Sequence, residues 1–304
     1  MTAVPLPPDR SFLLTEQRNP NTMSLHALSV EDCVDVIQQD DRAVFDALAK
    51  ARPGLVRFIE AAEPRFTAGG RLIYLGAGTS GRLGVLDASE EPPTFQVEPG
   101  RIVGIIAGGD TALRRSSEGK EDDPRGAAPE LDALGLTPND TVLGIAAGGT
   151  TPYVVGGVGY AKARQSGALT GLLVCSPIET PPGVDQLLVL AVGPEVLTGS
   201  TRMKAGTATK LVLNTISTTL MIRSGRVFEN LMVDLRATND KLCDRAARII
   251  ATLTGLSREA SFHLLERAGG VVKTAVAMER LGIDREEAEA RLQREHGRLD
   301  RVLG

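Results

Sequence analysis

The sequence has no tryptophan, and only three tyrosines and seven phenylalanines among 304 residues. Base stacking needs aromatic faces, so a single-strand nucleic-acid binder is disfavoured. No charge sign dominates: 34 Lys plus Arg against 38 Asp plus Glu leaves a net charge of −4. That balance argues against a polybasic surface for nucleic acid or anionic membrane. Cys33, Cys175 and Cys243 are odd in number and far apart. They match neither a disulfide framework nor metal-ligand spacing, and they fit a reducing compartment. His26, His263 and His296 have no neighbouring ligand types, so no metal site is expected, and His26 and His263 read as ordinary surface or core histidines. The longest uncharged run, 141–161, is interrupted by glycines and Pro152, which suits strand, loop and helix start rather than a membrane span. The start, MTAVPLPPDRSF, has no charged segment leading into an apolar one, so no secretory signal is expected.

What the chain has in excess is glycine, 33 residues, about 11% against a usual ~7%. Several of these glycines follow short apolar runs. RLIYLG (71–76), RIVGIIA (101–107), TVLGIAA (141–147), LTGLLVC (169–175) and LLVLAV (187–192) have the uncharged interiors of strands buried on both faces. The spacing between them leaves room for crossover helices. The expected fold is therefore α/β, a doubly wound five-stranded parallel sheet. Residues 1–20, polar and Pro-rich, read as an extended arm, and helical periodicity covers 24–50 and 54–68, with Gly69-Gly70 as the stop. A long, nearly uncharged helix is expected from 201 to about 224, and three short helices at 257–267, 271–281 and 284–294. The expected division is 1–55 (arm and helix), 56–240 (the α/β domain) and 241–304 (a small all-helical unit).

The first strand runs into GAGTSGRLG (76–84). A glycine loop between strand and helix presents backbone N–H groups and a helix N-terminus to an anion. Gly76, Gly78 and Gly81 match the dinucleotide spacing G-x-G-x-x-G, and Asp110 could be offered as the acidic partner. Two further strands also end in glycine and hydroxyl loops, AGGTTP (147–152) and GPEVLTGSTRMKAGT (193–207). That pattern favours a small phosphorylated ligand ringed by hydroxyls, with a dinucleotide as the alternative.

GAGTSGRLGVLDASEEPPTF (76–95), GPEVLTGSTRMKAGTATKLVLNTIST (193–218) and VFENLMVDLRATNDKL (227–242) closely resemble the N-acetylmuramic acid 6-phosphate etherases, of the sugar isomerase-type (SIS) phosphosugar-binding superfamily. TEQRNPNT (15–22) and GGVVKTAVAM (269–278) extend the resemblance over nearly the whole chain. It implies an SIS fold and a cytoplasmic homodimer without cofactor or metal, acting in peptidoglycan recycling. The implied reaction cleaves the D-lactyl ether at C3 of N-acetylmuramic acid 6-phosphate, giving N-acetylglucosamine 6-phosphate and D-lactate by elimination and hydration. The family's two catalytic glutamates map onto Glu90, as acid at the ether oxygen, and Glu121, as base at C2; Glu91 is a neighbour that needs no role. For phosphate and sugar the resemblance and the loop chemistry nominate Gly78, Thr79, Ser80, Gly148, Thr150, Thr151, Glu195, Ser200, Thr201 and Lys204. Gly148 stands where the family usually carries serine, which removes one hydroxyl donor. Ten residues from Ser80 to Glu90 span ~15 Å if helical, so either that helix ends early or Glu90 serves the other subunit. A sugar-phosphate sensor would bind without turnover, and a phosphosugar isomerase would keep the lactate on a ketose product.

Overall fold

The computed structural model describes residues 9–235 and 240–304. Its Cα packing forms two compact units. One comprises the chain up to Ser89 with Gly100–Ile216, the other Glu90–Pro99 with Ser217–Gly304. The N-terminal segment clusters with the sheet, and the second unit begins inside a helix. The chain crosses between the units three times, at 89/90 inside the helix Gly78–Phe95, at 216/217 inside the helix Lys204–Arg223, and at 99/100 in a turn, so composition does not mark the two crossings that lie within helices.

Elements in chain order are α1 (Val30–Asp41), α2 (Ala43–Thr67), β1 (Leu72–Gly76), α3 (Gly78–Phe95), β2 (Ile102–Ile106), α4 (Ala128–Leu134), β3 (Thr141–Ile145), α5 (Pro152–Arg164), β4 (Leu169–Val174), β5 (Gln186–Val189) and α6 (Lys204–Arg223). The strands form one parallel sheet in the order β2-β1-β3-β4-β5. All five expected strands are present. Ile73, Leu75, Val142 and Leu172 pack with Val154 and Val158 of α5 on one face. On the other, a Cβ at Gly84 of α3 would lie 2.9 Å from Tyr74, and one at Gly171 would lie 2.6 Å from Phe58 of α2. Helices thus cover both faces, and β1 is buried at every position. The order reverses between β1 and β3, and ligands of open α/β sheets bind outside the strand C-termini at such a switch point.

The N-terminal helices differ from the periodicity reading. Residues 25–27 form a 3-10 turn, α1 ends at Asp41, and α2 runs unbroken through Pro53. An interior proline costs ~3 kcal/mol. Phe58, Ile59, Ala62 and Phe66 of α2 are all buried, and burial of large apolar side chains, roughly 1.5–3 kcal/mol each, outweighs that cost. The arm is not simply extended either. Leu14–Glu16 and Pro20–Thr22 are 3-10 turns, and Leu13 and Thr15 are buried. Thr15 N–H donates to Ser176 Oγ at 3.3 Å, and Gly199 N–H donates to the Thr15 carbonyl at 3.2 Å. These bonds pin the arm to the loops after β4 and β5.

The second unit adds β6 (Val227–Phe228), β7 (Leu231–Met232), α7 (Asp240–Thr254), α8 (Arg258–Arg267), α9 (Val272–Leu281), α10 (Arg285–Arg294) and α11 (Leu299–Leu303). The three helices expected after residue 256 are α8, α9 and α10. Val233, Ile250, Leu264, Val276 and Leu299 share their core. The buried Lys273 pairs with Asp234 at 2.5 Å, and Asp234 also accepts from Arg226 at 3.1 Å. Arg226 donates in turn to the Phe95 and Gln96 carbonyls. The hairpin, α9 and the end of α3 are thereby joined through polar groups.

Candidate active site

The loop after β1 is shaped by its glycines. A Cβ at Gly76 would fall 2.5 Å from Gly81 N, and one at Gly81 would fall 2.6 Å from Ile106 Cγ1. Only glycine lets α3 start so close to the strand end. Gly78 sits at φ +52°, the left-handed region that glycine adopts without steric cost. The first turn of α3 therefore presents Thr79 and Ser80 at the sheet's C-terminal edge. Thr79 also approaches the start of α6, where a Cβ on Gly206 would lie 3.5 Å from Thr79 Cγ2.

Gly78 and Glu121 line one small cavity of about 40 Å³ with Ala77, Arg82, Ser116 and Ser117. The acidic run EGKEDD, which in isolation reads as a solvated surface, thus places one half-buried residue, Glu121, in the lining of the same cavity as the glycine loop. The backbone fixes it there, since Tyr153 N–H donates to the Glu121 carbonyl at 2.9 Å. Arg82 donates from Nε and Nη2 to the carbonyls of Leu113 and Arg115, at 3.3 and 3.2 Å. Sequence reading passed over Arg82, Ser116 and Ser117. Arg82 lies within the glycine motif, but nothing local shows that its guanidinium reaches the segment after β2.

Gly149 and Thr150 belong to the loop after β3 and line a wider groove of about 900 Å³ with Phe12, Pro152 and Ile178. Thr151 is the residue before α5, which has Pro152 at its first position. Gly148 meets the arm: a Cβ there would stand 3.2 Å from Leu13 Cδ1 and 3.7 Å from Thr15 Oγ1. Leu13 thus crowds the place a serine side chain would take, and the buried Thr15 Oγ1 has no hydrogen-bond partner among the described residues.

Glu195, Ser200, Thr201 and Lys204 lie on the third loop. Glu195, fully buried, accepts from the backbone N–H groups of Lys204 (3.0 Å) and Ala205 (2.9 Å). It caps α6 and neutralises the positive end of that helix. Burial raises its pKa, and the two N–H bonds oppose that without cancelling it. The Lys204 ammonium is spent on Asp40 (2.7 Å) and on the Pro194 carbonyl (2.7 Å). These two nominated ligands are therefore engaged within the protein itself, whereas Ser200 and Thr201 form the partly exposed turn before α6.

Glu90 lies in the second unit and Glu121 in the first. Helix α3 continues through Pro92 and Pro93 to Phe95, so it does not end early. Glu90 is exposed, whereas Glu91 is buried. Among the described residues no cluster of three or more His, Cys, Asp or Glu could hold a metal. No described helix is long and apolar enough to cross a membrane.

Residues 55–162 match the glucokinase regulatory protein N-terminal SIS domain family. The chain is 50% identical to the N-acetylmuramic acid 6-phosphate etherase of Synechococcus sp. over 94% of its own length and 90% of the relative's. The chain belongs to the N-acetylmuramic acid 6-phosphate etherase family. A second etherase, from Serratia proteamaculans, is 49% identical over 96% of this chain and 98% of that one. The etherase of Mesorhizobium japonicum is 47% identical over the full length of this chain. The glycine loop and Glu121 line one cavity at the C-terminal edge of the sheet.

Proposed function

We infer that this protein cleaves the D-lactyl ether of N-acetylmuramic acid 6-phosphate, giving N-acetylglucosamine 6-phosphate and D-lactate in cell-wall amino sugar recycling. The observation that carries this reading is the near-full-length identity of about one residue in two to etherases. It fits a cytoplasmic homodimer.

An ether oxygen leaves poorly and a sugar C2 proton is weakly acidic. Ring opening turns C1 into an aldehyde, which acidifies C2–H. Glu121, ionised, removes that proton; Glu90, protonated, gives one to the departing lactate oxygen. Two carboxyls in opposite protonation states meet those two needs. Water then adds at C3 of the unsaturated aldehyde with the roles reversed. Phosphate is held by N–H groups and hydroxyls at Gly78, Thr79, Ser80, Thr150 and Thr151, with Ser200 and Thr201 toward the sugar. Gly148 contributes its backbone only. The unbroken course of α3 supports a role for Glu90 in the site of the other subunit.

Incubation with N-acetylmuramic acid 6-phosphate in ¹⁸O-labelled water tests the reaction. Release of D-lactate with label at C3 of the sugar is the expected result. Tight binding without lactate means a sensor, and a ketose with lactate retained means an isomerase; either outcome overturns the reading.

A further inference from the structure

Removal of the C2 proton creates a problem that an acid and a base do not solve. The C–H electron pair forms a C1=C2 bond, and the carbonyl π pair moves onto O1. Only when that pair returns does C2=C3 form and the C3–O bond break. Negative charge therefore accumulates on O1 before the lactate leaves, and a fixed donor or cation there lowers the barrier. Neither glutamate can supply it.

The cavity beside the glycine loop holds one cationic side chain, Arg82, together with Glu121. Two nitrogens of its guanidinium are fixed on the Leu113 and Arg115 carbonyls, and Nη1 has no partner among the described residues. The residue is thus half-buried, and its guanidinium is anchored before substrate arrives. The cavity, about 40 Å³, is too small for a sugar ring. It takes a group of roughly the size of one or two waters, which is the size of an aldehyde. Ser116 and Ser117 line the same space, and the Ser117 hydroxyl donates to the Ala107 carbonyl at 3.0 Å.

We propose that Arg82 is a catalytic residue that donates to O1 of the open-chain aldehyde and stabilises the enolate formed when Glu121 takes the C2 proton. This rests on the etherase reading and on Glu121 as the base. The competing use of an arginine here is to bind the carboxylate of the lactyl group. N-Acetylglucosamine 6-phosphate, which lacks that group, separates the two.

The experiment compares wild type, Arg82→Gln and Arg82→Ala, each checked by thermal melting. It measures D-lactate release from N-acetylmuramic acid 6-phosphate and C2–H exchange into N-acetylglucosamine 6-phosphate in D2O. Both rates should fall together by about 10²–10³-fold with KM kept within a few-fold, and added guanidinium should restore part of both in Arg82→Ala. Retained exchange in Arg82→Gln overturns the proposal, and a raised KM for the lactyl substrate then assigns Arg82 to the carboxylate. Parallel loss with no guanidinium rescue also overturns it, because the defect then lies in the released 113–117 segment. If the neutral variants do not melt cooperatively, Arg82→Lys serves instead. Lysine keeps the charge but cannot hold both carbonyls and reach O1, so exchange should fall at least about tenfold, and unchanged exchange overturns the idea. Wild-type protein that releases no D-lactate refutes the etherase reading itself, before any variant is made.

Discussion

At the residue scale the two glutamates have separable signatures. Glu121→Gln should abolish both D-lactate release and C2–H exchange. Glu90→Gln should slow lactate release by about 10²–10⁴-fold while leaving exchange measurable, because deprotonation precedes departure of the lactate. Equal loss of exchange in the Glu90 variant would contradict that order. Cys175 is 1% exposed, and burial pushes its thiol up to about 12. It should resist iodoacetamide in the folded protein while the half-exposed Cys33 and Cys243 react, as peptide mapping will read. Some of this was legible in the sequence, because glycines 76, 78 and 81 mark a backbone path that only glycine follows. Other parts were not. Glu195 and Lys204 look like ligands in a linear reading, yet the Lys204 ammonium is neutralised by Asp40, 164 positions earlier. The exposure difference between Glu90 and Glu91 depends on how α3 packs, which adjacent letters do not encode.

At the scale of elements, the strands were legible because burial on both faces leaves a run of apolar residues between glycines and acids. Helix limits were less so: Pro53 and Pro92-Pro93 look like stops, and the helices pass through them. Tertiary packing decides there, and a proline rule carries no information about packing. The cap on α6 is likewise a long-range device. Glu195→Ala should cost about 1–2 kcal/mol, seen as a lower urea midpoint with unchanged slope. At the start of β1, Asp140 accepts from Arg71 N–H, Nε and Nη2 and from Thr137 N–H. Burial opposes the carboxylate, yet the Arg71 and Thr137 bonds prevail and its pKa is lowered. The stabilisation is therefore complete above the unfolded value, near 3.9, and is lost as pH falls through the lower folded value. Asp140→Ala should remove about 3 kcal/mol at neutral pH, and the variant's deficit should shrink in urea melts taken below about pH 4.

For the whole molecule, the class of sheet was legible in its apolar strands, whereas the passages of α3 and α6 from one compact unit to the other leave no mark in composition. Placing Glu90 in the partner's site makes a quantitative claim. Equal mixing of Glu90→Gln and Glu121→Gln subunits gives heterodimers with one intact site each, so activity should recover to about a quarter of wild type. If both glutamates act within one subunit, the mixture stays inactive. The N-terminal arm carries a practical consequence of its own. Arg10 and Arg18, both exposed, flank the buried Leu13 and Thr15. Trypsin trimming at Arg10 leaves that plug in its socket, whereas a cut at Arg18 frees it and uncovers Gly148. A preparation nicked at the second position should lose affinity for phosphosugar while its mass falls by under a tenth, so terminal sequencing belongs among the quality checks for any batch with weak turnover.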